Sequence, residues 1–130
     1  MGAIHEIVFD CDQPKALAEF WAQLLDGYAV RPQDTTSAAL SVALGLDPEE
    51  PQTIMVDGPG PSLCFQNVDG QRPENNRVHF DVQVSDRARE AERLKEIGAE
   101  VERVLPTYTI MRDPEGNQFV LVDRREAMAA

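Results

Sequence analysis

Cysteine and histidine are both scarce in this sequence. Its 130 residues include two cysteines and two histidines. Two cysteines are too few for a disulfide framework, and their spacing does not suggest a cysteine-rich zinc site. The sequence also lacks a phosphate-binding glycine motif and a clear nucleophile–base pair. Predictions of a metal site therefore depend on His5 and His79.

Basic residues are few as well. The sequence contains twelve lysines and arginines but 23 aspartates and glutamates, which gives a formal net charge of -11. Nucleic acids and anionic membranes bind basic surfaces, so this balance argues against either partner. No apolar run approaches the roughly 20 residues that span a bilayer, and no signal peptide is evident. We therefore expect a cytoplasmic location.

The apolar pattern of the first 30 residues predicts a strand followed by a helix. Residues 4–11 are rich in β-formers, and Asp12 fits a helix N-cap with Pro14 in the first turn. A helical stripe follows, and Gly27 suits the left-handed position after the helix. The stripe consists of Leu17, Phe20, Trp21, Leu24 and Leu25.

The second half repeats this order. Residues 78–84 alternate, with Phe80 and its apolar neighbours on one face and His79, Asp81 and Gln83 on the other. Asp86 then caps a helix that ends near Gly98. Matching Asp12 to Asp86 gives an offset of 74 residues, which aligns His5 with His79.

Each half continues with three strands, the last two joined by a turn at residues 57–60 or 113–116. The unit is therefore β-α-β-β-β and occurs twice, which predicts a pseudo-twofold pair of modules. We expect a single domain over residues 1–130, with modules at about 3–68 and 77–123 and a linker at about 69–76. Residues 34–52 have no counterpart, and both a lid and a packed surface insertion remain open for them.

Three stretches carry a resemblance to a known superfamily. They are "DCDQPKALAEFWAQLLDGY", "NNRVHFDVQVSD" and "MRDPEGNQFVLV", in this order along the chain. The chain resembles the vicinal oxygen chelate superfamily, and within it the glyoxalase-like and bleomycin-resistance group. The resemblance implies an α+β fold in which two paired βαβββ modules form a curved, half-barrel mixed sheet with helices outside.

The resemblance also implies four metal-ligand positions, in the first and last strands of each module. His79 takes the first-strand position of module two. His5 takes it in module one, or Glu6 if a bulge shifts the register. In the last strands the positions fall on Val120 and on Phe65 or Gln66. Valine supplies no donor, so we expect no standard metal centre, although a divalent metal held by His79 with His5 or Glu6 stays open.

We favour the prediction that the chain binds a small organic molecule in an apolar cleft, since the superfamily that it resembles includes metal-free drug-binding proteins. The predicted lining of the cleft is His79, Asp81, Phe65, Gln66, Tyr108, Met111 and Val120. The alternatives are a metal-dependent lyase or isomerase acting on vicinal oxygens, and a structural or regulatory partner of another protein. A homodimer is compatible with each of them.

Overall fold

A computed structural model describes residues 2–33, 43–45, 51–68 and 78–124. The chain divides into two compact units, residues 1–70 and 71–130. The predicted linker and most of the 34–52 insertion lie outside the described residues. Within the described part of the chain, neither helix is long and apolar enough to cross a membrane.

The described residues of unit one form a four-stranded mixed sheet and a helix that packs on it. Its strands follow the spatial order β1-β4-β3-β2, with β1 parallel to β4 and the other pairs antiparallel. The elements are β1 (Glu6–Cys11), α1 (Pro14–Leu24), β2 (Ala29–Val30), β3 (Thr53–Asp57) and β4 (Ser62–Asn67).

Unit two repeats this topology, with the order β5-β8-β7-β6 and β5 parallel to β8. Its elements are β5 (Phe80–Val84), α2 (Arg87–Glu96), β6 (Glu100–Val104), β7 (Tyr108–Arg112) and β8 (Gln118–Asp123). The α+β class and the duplicated βαβββ unit are therefore confirmed.

Each helix covers one face of its sheet. In unit one the predicted stripe is buried except for Leu25, which lies just after the helix and is half-buried. Phe9 packs between the sheet and the helix, with ring centroids 5.2 Å from Trp21 and 4.7 Å from Phe65. In unit two the smaller stripe of Ala91 and Leu94 is buried. Its sheet places Met111, Phe119 and Leu121 in the core. We call the opposite side of each sheet its open face.

The two units match at an offset of 73 residues through the first strand and the start of the helix, one less than predicted. Cys11 and Val84 are the buried last residues of β1 and β5, and each lies three residues before its helix. The prediction of Asp12 as N-cap is wrong: Gln13 takes that position, and its side chain does not cap the backbone of the first turn. Asp86 caps α2 as predicted and accepts a hydrogen bond from the Arg89 amide at 3.1 Å.

The repeat extends to a contact between a glycine and a proline. Gly27 and Gly98 follow the two helices with φ of 77° and 110°. A Cβ added at Gly27 would lie 3.3 Å from the Pro59 ring, and one at Gly98 would lie 3.2 Å from the Pro114 ring. Both prolines belong to the turns between the last two strands, so each helix end packs on the same turn in both units.

We expect Gly98→Ala to destabilise the protein by about 1–3 kcal/mol, because alanine is strained at positive φ and its methyl group would press on Pro114. Urea denaturation measures the change. Gly116→Ala is the matched control, since Gly116 has φ of 87° and open space where the methyl group would lie. Equal losses in the two variants would show that the proline contact contributes nothing.

Candidate functional site

Strand alternation separates core from open face in unit two. Tyr108 and Ile110 in β7 point away from α2, whereas Thr109 and Met111, which alternate with them, are buried. In the same way, β8 buries Phe119 and Leu121 and directs the residues between them to the open face. Asp81 of β5 lies beside Val120 in register, so it shares that face.

A cleft of about 750 Å³ lies over this open face. All of its lining residues belong to unit two. They are His79, Asp81, Pro106, Thr107, Tyr108, Ile110, Gln118, Val120, Val122 and Asp123.

The floor of the cleft is apolar because of the strand register. Val120 pairs with Ile110 across β8 and β7, and Val122 pairs with Tyr108 in the next row. On the other side of Val120 the register places Asp81. A carboxylate therefore stands at one edge of an aliphatic floor, with a phenol ring on the opposite side.

His79 and Asp81 meet at the rim of the cleft. His79 Nε2 lies 3.4 Å from Asp81 Oδ1, and the two side chains are 50% and 61% exposed. This long contact becomes an ion pair only when the imidazole is protonated. The pair leaves both groups accessible to a ligand.

Arg87, the first residue of α2, lies behind the end of the cleft that is opposite His79 and Asp81. Its guanidinium donates to the carbonyl oxygens of Leu105 at 3.0 Å and Pro106 at 2.8 Å, and to Thr109 Oγ1 at 3.1 Å. Its Nε donates to Asp123 Oδ2 at 2.9 Å. These bonds fix the lip that contains Pro106 and Thr107, although Arg87 does not itself line the cleft.

The contact with Arg87 also favours the ionised form of the Asp123 carboxyl. Hydrogen bonds from the Arg87 side chain lower the pKa of the Asp123 carboxyl, and its backbone amide and positive charge act in the same direction. A lowered native pKa means that the pair adds stability above the ordinary carboxyl pKa and loses it as pH falls through the lowered value. The gain is small, because the carboxylate is half exposed.

The open face of unit one carries different side chains. Glu6, Val8 and Asp10 in β1 lie in register with Ser62, Cys64 and Gln66 in β4. Gln66 Nε2 donates to Asp10 Oδ1 at 2.8 Å.

A bidentate ion pair crosses the open face of unit one. Arg31 donates to both oxygens of Asp57 at 2.7 and 2.8 Å, and Ser62 donates to the same carboxylate at 2.7 Å. These hydrogen bonds lower the pKa of Asp57 to about 2.

Unit two has a counterpart of this ion pair, in which Arg112 and Gln118 both donate to Glu102 at 2.8 Å. The face of unit one differs at Gln66 and Cys64, which lie where unit two has the aliphatic Val122 and Val120.

Three sequence expectations need correction. Met111 does not line the cleft, because it is an odd number of positions from Tyr108 and so lies on the buried face of β7. Phe65 is fully buried and stacks on Phe9, which places it on the helix side of β4. His5 precedes β1, whereas Glu6 begins it and takes the open face without a bulge.

The structure places His79, Asp81, Tyr108 and Val120 in the lining of one cleft, and their role in binding a ligand stays a prediction. It places Gln66 on the open face of unit one. Sequence reasoning missed Ile110, Val122 and Gln118, although alternation from Tyr108 and Val120 points to each of them. It also missed Asp123 and the supporting Arg87, for which the linear sequence contains no comparable signal.

Comparison with protein families now identifies the chain. A family model described as a glyoxalase-like domain matches residues 6–122. The chain belongs to the glyoxalase-like domain family. Comparison with curated proteins finds no match.

Solved structures of the glyoxalase, bleomycin-resistance and dioxygenase superfamily share this fold, which confirms the resemblance seen in the sequence. A glyoxalase-related enzyme from Fulvimarina pelagi is 13% identical with a TM-score of 0.65, covering 95% of this chain and 89% of that one. The fosfomycin resistance protein FosX from Listeria monocytogenes is 15% identical with a TM-score of 0.63, covering 96% and 93%.

TnmS3, an antibiotic binding protein from Streptomyces sp. CB03234, is 14% identical with a TM-score of 0.54, and the match covers 96% of each chain. At such identities the likeness to these three proteins concerns the fold. Their names span resistance and binding, so the fold leaves the role of this glyoxalase-like protein open.

The repeat identifies the metal-ligand positions that the superfamily implies. The 73-residue offset makes Glu6 equivalent to His79, which directly precedes β5. In the last strands Cys64 is equivalent to Val120, because each pairs with matching neighbours in its sheet. The histidines His5 and His79, which the 74-residue offset paired, are therefore not equivalent.

These positions supply a poor donor set for a hard divalent ion. Val120 has no donor atom, and burial raises the pKa of the Cys64 thiol, which favours its uncharged form. Among the described residues no three or more His, Cys, Asp or Glu side chains are grouped to hold a metal ion. The glyoxalase-like fold is present, but the described residues do not fit the usual metal centre.

We expect Arg87→Gln to raise the pKa of the Asp123 carboxyl towards its ordinary value, since a neutral amide replaces the charged donor. Side-chain carboxyl NMR shifts, followed from about pH 2 to about pH 7, measure this pKa directly. Arg89→Gln is the control, because Arg89 lies on the same helix and its side chain is exposed. An unchanged Asp123 pKa in Arg87→Gln would contradict the assignment.

Proposed function

We propose that this protein binds a small organic molecule in the cleft of unit two, without the usual metal centre of its superfamily. The observation that carries the proposal is the aliphatic floor of Ile110, Val120 and Val122 beneath a cleft of about 750 Å³. Ligand sites commonly have volumes of about 300–1,000 Å³ and combine an apolar lining with a few polar groups. Here the polar groups of the lining are His79, Asp81, Thr107, Tyr108, Gln118 and Asp123.

The names of the structural neighbours support this reading without deciding it. An antibiotic binding protein and a fosfomycin resistance protein share the fold. Sequestration of a drug or a similar compound is thus one form that binding takes on this scaffold. We carry over the class of ligand, a small organic molecule, and not its identity.

A metal-dependent lyase or isomerase is the second candidate function. The approach of His79 to Asp81 favours it, because imidazole and carboxylate are side chains that commonly bind divalent metals. Against it stands Val120, which lies beside Asp81 where a further donor would be needed. A cytoplasmic location and a homodimer stay predictions from the sequence.

Filling the cleft tests the binding proposal. We expect 1-naphthalenemethanol, a neutral aromatic probe, to shift amide NMR signals of residues lining the cleft in the wild-type protein. Val120→Trp should weaken this binding by about tenfold or more, because the indole would occupy the floor. Signals that shift elsewhere, or unchanged binding in Val120→Trp, would contradict the proposal.

Val104→Trp is the matched control for that experiment. Val104 lies in β6 of the same sheet, is 71% exposed and does not line the cleft. The same substitution there should leave binding of the probe within about twofold of the wild type, since an exposed site accepts a larger side chain at little cost.

A second experiment tests the metal-free reading. The protein purified without chelators should contain metal well below one equivalent, and Val120→Glu should raise its affinity for Zn²⁺ by about tenfold or more. The reason is that a carboxylate at position 120 would join Asp81 and His79. Isothermal titration calorimetry measures the affinity.

Val104→Glu, which adds the same charge outside the cleft, is the control for the metal experiment. Stoichiometric metal in the wild type, lost in His79→Ala, would overturn the metal-free proposal and favour the lyase or isomerase.

A further inference from the structure

The charged groups in the cleft are mainly acidic. Its lining contains the carboxylates of Asp81 and Asp123 and the imidazole of His79, and no lysine or arginine among the described residues. A ligand that enters the cleft therefore meets two carboxylates and one group that is cationic only when protonated. An anionic ligand would find no permanent positive charge in this lining.

The two carboxylates are not equally available. Arg87 binds both oxygens of Asp123, at 3.2 Å through its amide and 2.9 Å through its Nε. That pairing offsets the charge of Asp123 and leaves its oxygens partly engaged. Among the described residues, the polar contact of the Asp81 carboxylate is with His79, at the long distance of 3.4 Å, and the Asp81 side chain is 61% exposed.

The surroundings of Asp81 favour a ligand with two parts. Val120 lies beside Asp81 in register, and Ile110 lies beyond Val120 in the same row across the sheet. A molecule lying along this row would place an apolar body on the aliphatic side chains and one end against the carboxylate. Tyr108 adds an aromatic ring to the lining, which suits both an apolar surface and a cation.

We propose that the ligand of this cleft is an amphiphilic amine, with its ammonium group at Asp81 and its apolar body on Val120 and Ile110. The proposal rests on the proposed function, because it names the ligand class of the same cleft. The acidic net charge of the chain, -11, attracts cations at long range but cannot distinguish one surface from another. Asp81 supplies that local preference.

Three probes that share a naphthyl group and differ in charge test the ligand class. They are 1-naphthylmethylamine, 1-naphthalenemethanol and 1-naphthaleneacetate (the carboxylate of 1-naphthaleneacetic acid), which carry a cationic, a neutral and an anionic group at pH 7. Their affinities are measured by amide NMR titration at constant ionic strength, because charge effects depend on salt. We expect the amine to bind about threefold to tenfold more tightly than the alcohol, and the acetate to bind most weakly.

Two substitutions identify the group responsible. Asp81→Asn should abolish the preference for the amine, so that in this variant the amine and the alcohol bind with about equal affinity. His79→Lys should weaken the amine selectively, because it puts a permanent cation next to Asp81. Glu96→Gln is the control, since it removes one exposed negative charge from α2, outside the cleft lining.

The outcomes separate this proposal from the proposed function. Binding of all three probes in the cleft without preference for the amine would overturn the ligand class and leave small-molecule binding intact. An amine preference that survives Asp81→Asn, or that Glu96→Gln removes equally, would also overturn it. Failure of all three probes to shift signals in the cleft would count against the proposed function itself.

Discussion

Among the described residues each sheet packs against a helix on one face, and this constraint assigns most strand residues either to the core or to the open face. Because side chains alternate along a strand, one set must pack on the helix and the other set must lie on the open face. In β8 the first set is Phe119 and Leu121, both fully buried, and the second is Val120 and Val122 in the cleft. Core and candidate site are therefore built from adjacent residues, and the register of each strand assigns them.

This constraint explains which parts of the structure the sequence predicted well. The apolar stripe of α1 and the alternation of β5 are long enough to identify their elements and buried faces. The βαβββ repeat followed from the order of those elements. The error was one residue: Asp12 looks like a better cap than Gln13, and aligning it with Asp86 moved the offset from 73 to 74. A shift of one residue exchanges the faces of a strand, so His5 was matched with His79 in place of Glu6.

The remaining features of the site depend on contacts between residues distant in the sequence. Arg87 is 18 to 36 residues from the groups it binds, and its four partners come from β7, β8 and the lip between β6 and β7. Nothing near Arg87 in the sequence distinguishes it from Arg89 or Arg93 of the same helix. Its position at the first turn, close to the end of β8, makes it the residue that joins helix, strand and cleft lip.

The duplication also provides an internal comparison between two scaffolds with different open faces. Cys64 and Gln66 in unit one occupy the positions of Val120 and Val122 in unit two, and Met55 occupies that of Ile110. In unit one a hydrogen bond from Gln66 to Asp10 and the ion pair of Arg31 with Asp57 connect polar side chains across the sheet.

In unit two the matching central positions are all aliphatic. Asp81 puts an accessible carboxylate at the position where unit one has Val8. Paired polar groups satisfy one another, whereas an aliphatic floor with one accessible carboxylate at its edge offers surface to a partner from outside. Both units have an ion pair at equivalent positions, Arg31 with Asp57 and Arg112 with Glu102. They differ at the centre of the open face, which includes the hydrogen-bonded Gln66 in unit one and only aliphatic side chains in unit two. This difference, more than the fold itself, locates the candidate function in unit two.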